Sequence, residues 1–473
     1  MTLDNYFSSK EFLDNVRIYE EARKAGHSVY LEPDVLTDIA EYYHQKGKQE
    51  DAQQALDTAI EMFPGAIAPL VFRARMELLK NDNPKGARLY AEKIEDKTDL
   101  DYFYIHAEIL LYEDKTEEAE AYLRRALEKI DEENREDFVI DTATLYADYD
   151  MMDKAQAWLS LSEEQDTPDY RELKGRIALG KGDYETGEEI FKKLLDENPY
   201  VGFYWNQLAS SQLMRNHIQE AIESSEYSIA INPDDKEALL NKANGMFGLG
   251  NYEEALNYYQ KFNALHQDDE TGEIFLGVTL IHMDRLEEAV EHLQKAEAKA
   301  KPDSPNLPEI YQEAAFALSR LGRYEEALAY TDKALLTGEM NEEELLVLKG
   351  HIFLENGMPD EAQQYFSQAV KQSNDSPHIL FRIGVSIYDN GYIRLAYKMF
   401  RMLLNIPNSS FTEGYSHLAM CCKLLHKDDE FKAALTKACK INPTEAKQVL
   451  GDLFPEELNP EHYIDYLKDN EVF

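Results

Sequence analysis

Small residues recur along this chain at a nearly constant interval, and this spacing constrains the fold more than any other feature. Two helices that cross at close range need a residue without bulk at each crossing point. One row of such residues, 32 to 38 positions apart, is Ala40, Ala74, Ala107, Ala143, Gly175, Ala209, Ala243, Gly277, Ala315, Gly350, Gly384 and Ala419. A second row follows twelve residues later at Ala52, Gly86, Ala119, Ala155, Gly187, Ala221, Ala255, Ala289, Ala327, Ala362 and Ala396. The spacing predicts a series of helix pairs, each packed on the next.

The segments around these rows resemble the tetratricopeptide repeat. Trp205 to Pro233 reads as an apolar helix, a break, and a second helix opened by acids and an alanine, and the same form recurs along the chain. The family's closing prolines, turn glycines and aromatic slot are matched by Pro64, Pro199, Pro233 and Pro443, by Gly47, Gly250, Gly322, Gly357 and Gly391, and by Tyr184, Tyr252 and Tyr324. The resemblance covers about residues 33 to 445.

This resemblance implies an all-α, right-handed superhelical solenoid of about twelve helix pairs. In overall form the chain is similar to long, stand-alone bacterial repeat proteins of unassigned role. Two repeats depart from the pattern. The second carries the turn Asn81–Pro84, and the last has Phe431 where a small residue is expected.

Five segments follow from the pattern. Residues 1–32 contain a predicted capping helix, Ser9 to Gly26, and residues 444–473 a second capping helix, Thr444 to Phe454, with an acidic tail. The solenoid itself divides into residues 33–298 and 310–443. Between them, residues 299–309 carry three prolines in a polar setting and are predicted to form a linker or bend.

The net charge bears on the kind of partner. The chain has 49 basic and 91 acidic residues, a formal charge of −42. Such a surface repels phosphate backbones and anionic lipids, so nucleic acid and membrane are not expected as partners, whereas a basic protein segment is compatible. Much of the acidity stands in first helical turns, as at Glu253-Glu254, where it faces the positive end of the helix dipole.

Cysteine usage and hydropathy indicate the compartment. The three cysteines, Cys421, Cys422 and Cys439, argue against a disulfide framework and suit a reducing environment. The N-terminal residues show no signal-peptide pattern, and no run of 18 apolar residues occurs. The expected location is the cytoplasm.

Two motifs with chemical potential have simpler explanations. Gly175–Gly182 fits the start of a phosphate-binding loop, but it lacks the Ser or Thr that holds magnesium and the strand that precedes such loops. His417 and Cys421 are spaced as two metal ligands on one helical face, but zinc needs four converging ligands, and free cysteine is commonly a core residue. The sequence therefore predicts no catalytic, cofactor or metal site, and no enzyme.

The predicted site is the inner face of the solenoid. In the resembled family, exposed positions on the first helix of each pair hold an extended peptide or a partner helix. Carried over by position, the groove residues include Arg75, Tyr104, Arg176, Asn206, Leu213, Asn241, Asn244, Phe247, Ile281, Arg320, His351, Phe381, Arg382 and Tyr388.

Two rows in this groove have alternative interpretations. Asn206, Asn241 and Asn244 offer amides that could grip a peptide backbone, or that bond to the neighbouring helix instead. The apolar row that contains Leu213, Phe247 and Tyr388 is either a docking track or packing between repeats.

The resulting prediction is a scaffold or adaptor that binds an extended peptide or a helix of a partner protein. The alternative is a structural protein that self-associates through its solenoid ends.

Overall fold

In the computed structural model the chain is an all-α helical-repeat solenoid. The structure describes residues 6–7, 9–27, 30–267, 269–339, 341–406, 411–455 and 458–469, and these contain twenty-seven α-helices and no strand. The chain divides into two compact units, Met1–Gly245 and Met246–Phe473, with the division inside helix α14.

The helices before the division are α1 (Lys10–Ala25), α2 (Pro33–Gln45), α3 (Gln49–Met62), α4 (Ile67–Arg75), α5 (Pro84–Ala91), α6 (Leu100–Tyr112), α7 (Thr116–Leu127), α8 (Arg135–Asp148), α9 (Met152–Leu159), α10 (Pro168–Gly180), α11 (Tyr184–Glu197), α12 (Gly202–Met214), α13 (Ile218–Ile231) and α14 (Lys236–Gly248). Those after it are α15 (Tyr252–Leu265), α16 (Thr271–His282), α17 (Leu286–Lys299), α18 (Leu307–Arg320), α19 (Tyr324–Leu336), α20 (Glu342–Glu355), α21 (Pro359–Gln372), α22 (Pro377–Asp389), α23 (Ile393–Leu403), α24 (Tyr415–Leu424), α25 (Asp428–Ile441), α26 (Pro443–Leu450) and α27 (Tyr463–Asp469). Twelve pairs, from α2–α3 to α24–α25, follow the predicted order.

Apart from Gly86, the residues of both rows lie where the helices approach most closely. In the second repeat the extra residue of the first helix moves this position to Ala87, which is fully buried, so the prediction of Gly86 is wrong. Every alanine of the two rows is at most 1% exposed. A Cβ atom on Gly175 would lie 2.8 Å from the Phe191 ring, and one on Gly277 would lie 2.7 Å from Leu293 Cγ. Because such distances are shorter than real contacts, no larger side chain fits there without displacing its neighbour. The other crossing points predicted from the sequence are confirmed.

The turn inside each pair contains one residue in the left-handed conformation. Twelve residues share this feature: Gly47, Asp82, Asp114, Asp150, Gly182, Asn216, Gly250, Asp284, Gly322, Gly357, Gly391 and His426. Apart from Asp82, each stands seven positions after the small residue of its first helix. The glycines adopt this conformation without strain, whereas Asp, Asn and His adopt it at some cost.

The second repeat absorbs one additional residue in its first helix. Helix α4 continues into a π-helical turn, Met76–Lys80, before the chain reverses. The left-handed residue Asp82 consequently stands eight positions after Ala74 rather than seven. A π-turn accommodates one extra residue per turn, so the degenerate sequence of this repeat has a defined local structure.

Helix α1 covers the first repeat. It begins after Ser9, whose Oγ accepts a hydrogen bond from the Phe12 backbone N–H at 3.2 Å, and it ends before Gly26 at a φ of 68°. These are the predicted bounds, and both caps follow from the residue types. Phe12 is fully buried in one cluster with Leu36 and Ile39 of α2.

The segment predicted to be a linker is tied to the helices before it. Ser304 Oγ donates to Glu270 Oε1, and Asn306 Nδ2 donates to the same oxygen at 3.0 Å. Helix α18 already begins at Leu307, inside the predicted segment. A bend between two solenoid parts at this point stays a prediction.

The acidic C-terminal segment is more ordered than its composition suggests. The predicted capping helix is α26, which continues into a short 3-10 turn, Gly451–Leu453. Helix α27 follows, and Tyr463 is 1% exposed with its ring stacked 3.8 Å from that of Phe454. Aromatic packing therefore anchors α27 within this segment. Residues 470–473 lie outside the described part of the chain.

Candidate functional site

The first helices of successive pairs lie side by side in the second unit, where α16 contacts α18, α18 contacts α20, and α20 contacts α22. Side chains of these first helices line a cavity of about 680 Å³, which we call the inner groove. It is lined by Ile281, His282, Asp284, Gln312, Glu313, Phe316, Arg320, Glu344, Val347, Leu348, His351, Phe381, Arg382, Val385, Ser386, Asp389 and His417.

The predicted groove arginines already have acidic partners within the chain. In the inner groove Arg320 Nη2 lies 2.8 Å from Asp284 Oδ1, and Arg382 Nε lies 3.3 Å from Glu344 Oε2. Each pair joins the first helix of one repeat to the preceding repeat. These guanidinium groups are thus oriented by the protein itself.

The first unit contains two equivalent pairs. Arg75 Nε lies 2.8 Å from Glu108 Oε2, and Arg176 Nη2 lies 2.5 Å from Asp148 Oδ1. Glu108 is 5% exposed, so its carboxylate depends on this pair for compensation.

Two acidic side chains of the inner groove have no cationic partner among the described residues. These are Glu313 on α18 and Asp389 at the end of α22. Partial removal from water raises the pKa of Glu313, and nearby Glu309 raises it further. Desolvation also raises the pKa of Asp389, while His351 and His417 act in the opposite direction. Both carboxylates would be stabilised by a positive charge placed in the groove.

Aromatic rings and a histidine lie between these acids. The ring of Phe316 is stacked on that of His351 at a centroid distance of 6.1 Å, and His351 Nδ1 lies 3.0 Å from Ser386 Oγ. Burial lowers the pKa of His351, so the neutral imidazole is favoured. Phe381 forms an edge contact with His417 at 5.5 Å. The groove therefore combines apolar faces with uncompensated negative charge.

The predicted asparagine row lies in the first unit and is engaged in bonds within the chain. Asn206 Nδ2 donates to both carboxylate oxygens of Asp235, at 3.1 and 3.0 Å. Asn241 Nδ2 donates to the Asn206 carbonyl oxygen at 3.3 Å and to Ser210 Oγ at 3.2 Å. The second of the two interpretations, a bond to a neighbouring helix, therefore applies to Asn206 and Asn241. Asn244 lies half-buried on α14.

The remaining predicted residues are placed mainly in packing positions. Tyr104 is 7% exposed and stacks on Phe138 at 5.6 Å. The half-buried Phe247 contacts His282 edge-on at 5.0 Å, and Tyr388 contacts His417 in the same manner at 5.8 Å. Leu213 is half-buried at the end of α12. Partner binding by these residues stays a prediction.

Sequence reasoning missed Phe316, Glu313 and Asp389, and it weighed His417 only as a metal ligand against a packing residue. Their position on the first helices was available from the repeat register, but their convergence on one cavity depends on the packing of α18 against α20 and α22. His417 Nδ1 lies 3.1 Å from Glu445 Oε1. Burial raises the pKa of the Cys421 thiol to about 12, which disfavours the thiolate that metals bind.

Two further features concern the whole described chain. Among the described residues, no helix combines the length and apolar character needed to cross a bilayer. In the same residues, no three His, Cys, Asp or Glu side chains are grouped closely enough to hold a metal ion.

Several known proteins are similar to this chain. The human protein DnaJ homolog subfamily C member 7 is 22% identical over 300 residues, which cover 58% of this chain and 60% of that protein. The chain thus spans about three fifths of the length of the curated relative that it matches.

Solved structures of tetratricopeptide repeat proteins are also similar. One from Parabacteroides merdae is 17% identical, with 54% of this chain and 97% of that chain covered and a TM-score of 0.44. YrrB, described as having an unusual peptide-binding site, is 17% identical over 41% of this chain and 97% of its own, with a TM-score of 0.34.

The family model of the tetratricopeptide repeat matches four stretches of the chain. They are residues 33–65, 237–268, 308–336 and 343–376. Each stretch contains or overlaps one of the helix pairs described above, and the pairs between them repeat the same small-residue rows and left-handed turns. The chain therefore contains tetratricopeptide repeats.

Proposed function

We propose that this protein is an interaction scaffold whose inner groove in the second unit binds an extended segment of a partner protein. The bound segment presents a Lys or Arg side chain to Glu313 and Asp389 and an apolar side chain to Phe316. The observation that carries the proposal is the pair of carboxylates without cationic partners beside aromatic faces in one cavity. Tetratricopeptide repeat proteins generally serve protein interactions and typically have no enzymatic activity, which supports the same reading.

Charge and apolar contact contribute in different ways to this binding. A ligand cation offsets the desolvation of the two carboxylates, while the oriented arginines Arg320 and Arg382 remain paired with their own acids. The stacked rings of Phe316 and His351 offer a flat face to an apolar or aromatic side chain. We also expect the protein to act in the cytoplasm, since its three cysteines are free.

The test uses synthetic extended peptides of about eight residues, long enough to cross several repeats. One alternates Lys with Leu and Phe, and the matched peptide has Glu in place of Lys. Fluorescence anisotropy of each labelled peptide is measured with the wild type, with Glu313→Gln/Asp389→Asn, and with Phe316→Ala. Glu325→Gln, on the exposed first turn of α19, is the control for loss of one charge.

The proposal expects the Lys peptide to bind and the Glu peptide to bind at least about tenfold more weakly. The double variant should lose that preference, and binding should weaken as the pH falls, because the raised pKa values let the two acids take up protons earlier than usual. Equal binding of both peptides to the wild type, or an unchanged preference in the double variant, would refute it.

A further inference from the structure

A second cavity of the second unit lies away from the inner groove, on the side of the second helices. It measures about 540 Å³, and we call it the outer groove. Its floor consists of buried apolar residues from the first helices, among them Leu380, Ile383 and Ile387, and its walls are helices α21 and α23. The full lining is Leu354, Pro359, Asp360, Ala362, Gln363, Phe366, Ser367, Val370, Leu380, Ile383, Ile387, Tyr392, Leu395, Met399 and Met402.

The α23 wall exposes large apolar side chains to solvent. Leu395 is 47% exposed, Met402 is 52% exposed, and Tyr392 is 39% exposed. With Met399 they form a stripe along one face of α23, because residues three and four positions apart lie on the same side of a helix. The adjacent face of the same helix, about 100° around its axis, is already buried through Ala396 and Phe400. Helix α23 therefore has one broad apolar face, and only part of that face is covered.

At Leu395 this stripe departs from every other repeat of the chain. The residue immediately before the second small position is polar or charged in ten of the other eleven pairs: Asp51, Glu118, Lys154, Thr186, Glu220, Glu254, Glu288, Glu326, Glu361 and Glu430. In the second repeat, where the buried small residue is Ala87, it is Gly86. In α23 it is Leu395. One position earlier α23 has the cation Arg394, where most pairs have an acid or Gln.

The substitution of Arg394 for a helix-opening acid has an energetic cost. A cation in the first turn opposes the helix dipole by about 0.3–1 kcal/mol, whereas an acid there is favourable. Helix α23 also has no side-chain cap at its start. Helix stability therefore does not explain Arg394 and Leu395.

The basic residues beside the apolar stripe supply the charge of the site. Helix α23 contains no acid, and its cations are Arg394, Lys398 and Arg401. Arg401 is engaged with Tyr397 and lies 3.7 Å from Glu430. Within the described part of the chain, Arg394 and Lys398 are exposed and have no ion-pair partner, although acids outnumber bases almost two to one.

We propose that the outer groove binds an acidic amphipathic helix of a partner protein. Its apolar residues, spaced at i, i+3, i+4 and i+7, fill the trough between α21 and α23 and contact Leu395, Met399 and Met402. Its acidic residues on one flank pair with Arg394 and Lys398. Methionine side chains adapt to varied apolar surfaces, which suits a helix-binding trough.

The charge pattern selects this occupant over two others. An anionic lipid surface would be repelled by the strongly negative net charge of the chain, and only this short basic edge would be attracted to it. Association with a second copy of the chain would bring two strongly negative surfaces together, and their repulsion opposes it. A short acidic helix meets the basic edge without either penalty.

The test uses the full-length protein and a synthetic amphipathic peptide of about 15 residues, which spans roughly 22 Å as a helix. Leucines occupy one face and glutamates the flank, and the matched peptide has Lys in place of Glu. Binding is measured by fluorescence anisotropy. Leu395→Glu restores the residue that most other repeats carry, so it is expected to fold. Leu336→Glu, at an 85% exposed leucine of α19, is the matched control.

The inference expects the wild type to prefer the acidic peptide and Leu395→Glu to weaken its binding by at least about tenfold, with Leu336→Glu unchanged. Arg394→Glu/Lys398→Glu should reverse the preference toward the Lys peptide. Equal binding of the two peptides, or no effect of Leu395→Glu, would overturn it. So would a concentration-dependent dimer in light scattering, or binding to phosphatidylserine vesicles, that Leu395→Glu abolishes. The Glu313→Gln/Asp389→Asn variant should bind the acidic peptide as the wild type does, which separates this site from the inner groove.

Discussion

The carboxyl group of Glu237 on α14 makes the stability of the first unit depend on pH. Partial burial raises its pKa from 4.5 to about 7, and the neighbouring Asp235 adds to the rise, while a bond with Asn206 opposes it. Glu237 Oε1 also accepts a hydrogen bond from Gln207 Nε2 at 3.2 Å. Replacing it by Gln keeps the shape of the side chain and removes the charge.

The sign and magnitude follow from linkage between protonation and folding. A carboxyl whose pKa is higher in the folded state binds its proton more tightly there, so its stabilising contribution is full below about pH 4 and is lost as the pH rises through 7. A shift from 4.5 to about 7 corresponds to about 3 kcal/mol at most. Because water reaches the half-buried side chain, we expect about 2 kcal/mol.

The assay compares urea unfolding of the wild type and Glu237→Gln at pH 5 and pH 8. At pH 8 the variant should be the more stable by about 2 kcal/mol, because the wild type must fold with an ionised, partly desolvated carboxylate. At pH 5 the gap should fall below about 1 kcal/mol, since the folded wild type is then protonated. Glu223→Gln, at an exposed position of α13, controls for the loss of one negative charge.

A pH-independent difference between wild type and Glu237→Gln would refute this reasoning. So would a variant that is less stable than the wild type at pH 8, because the hydrogen bonds of the carboxylate would then outweigh its desolvation. Hydrogen exchange of the α12 and α14 amides places the effect in the correct repeats.

Three further changes test other features of the fold, each by chemical unfolding. Arg75→Ala should cost about 1–3 kcal/mol because it leaves buried Glu108 without its partner, and adding Glu108→Gln should recover part of the loss; an additive double variant would contradict this. Gly350→Leu should cost more than about 2 kcal/mol because a ring of the paired helix occupies the space, whereas Gly451→Ala, with no atom within 4 Å, should be nearly neutral. Asp114→Gly should stabilise by about 0.5–1 kcal/mol because its φ of 58° suits glycine, and an unchanged midpoint would argue against strain there.

The repeated helix pairs could be read from the sequence because small residues leave a periodic record of each crossing. The left-handed residues of the turns could be predicted only in part. Glycine at Gly250 or Gly357 signals a left-handed residue, but Asp114 and Asn216 adopt the same conformation with residue types that are common everywhere on this surface.

The candidate site was less predictable, for a related reason. The partners of Arg75 and Arg320 stand 33 and 36 positions away, on an adjacent repeat. Asn206 likewise binds Asp235, 29 positions later. Such pairings depend on how one repeat is offset against the next, and the register of a single repeat does not contain that offset.

The π-turn at Met76–Lys80 has a consequence for how such chains tolerate changes in length. An added residue in most helices would rotate every later side chain by about 100° and misdirect the apolar face. Here the surplus is confined to one turn, because the fully buried Ala87 stands five positions after the left-handed Asp82, as in the other pairs, and the following pairs keep their phase. Single-residue insertions or deletions before a turn of this kind should therefore be corrected locally. A chain of repeats can therefore accumulate insertions or deletions in one repeat while the neighbouring repeats continue to pack.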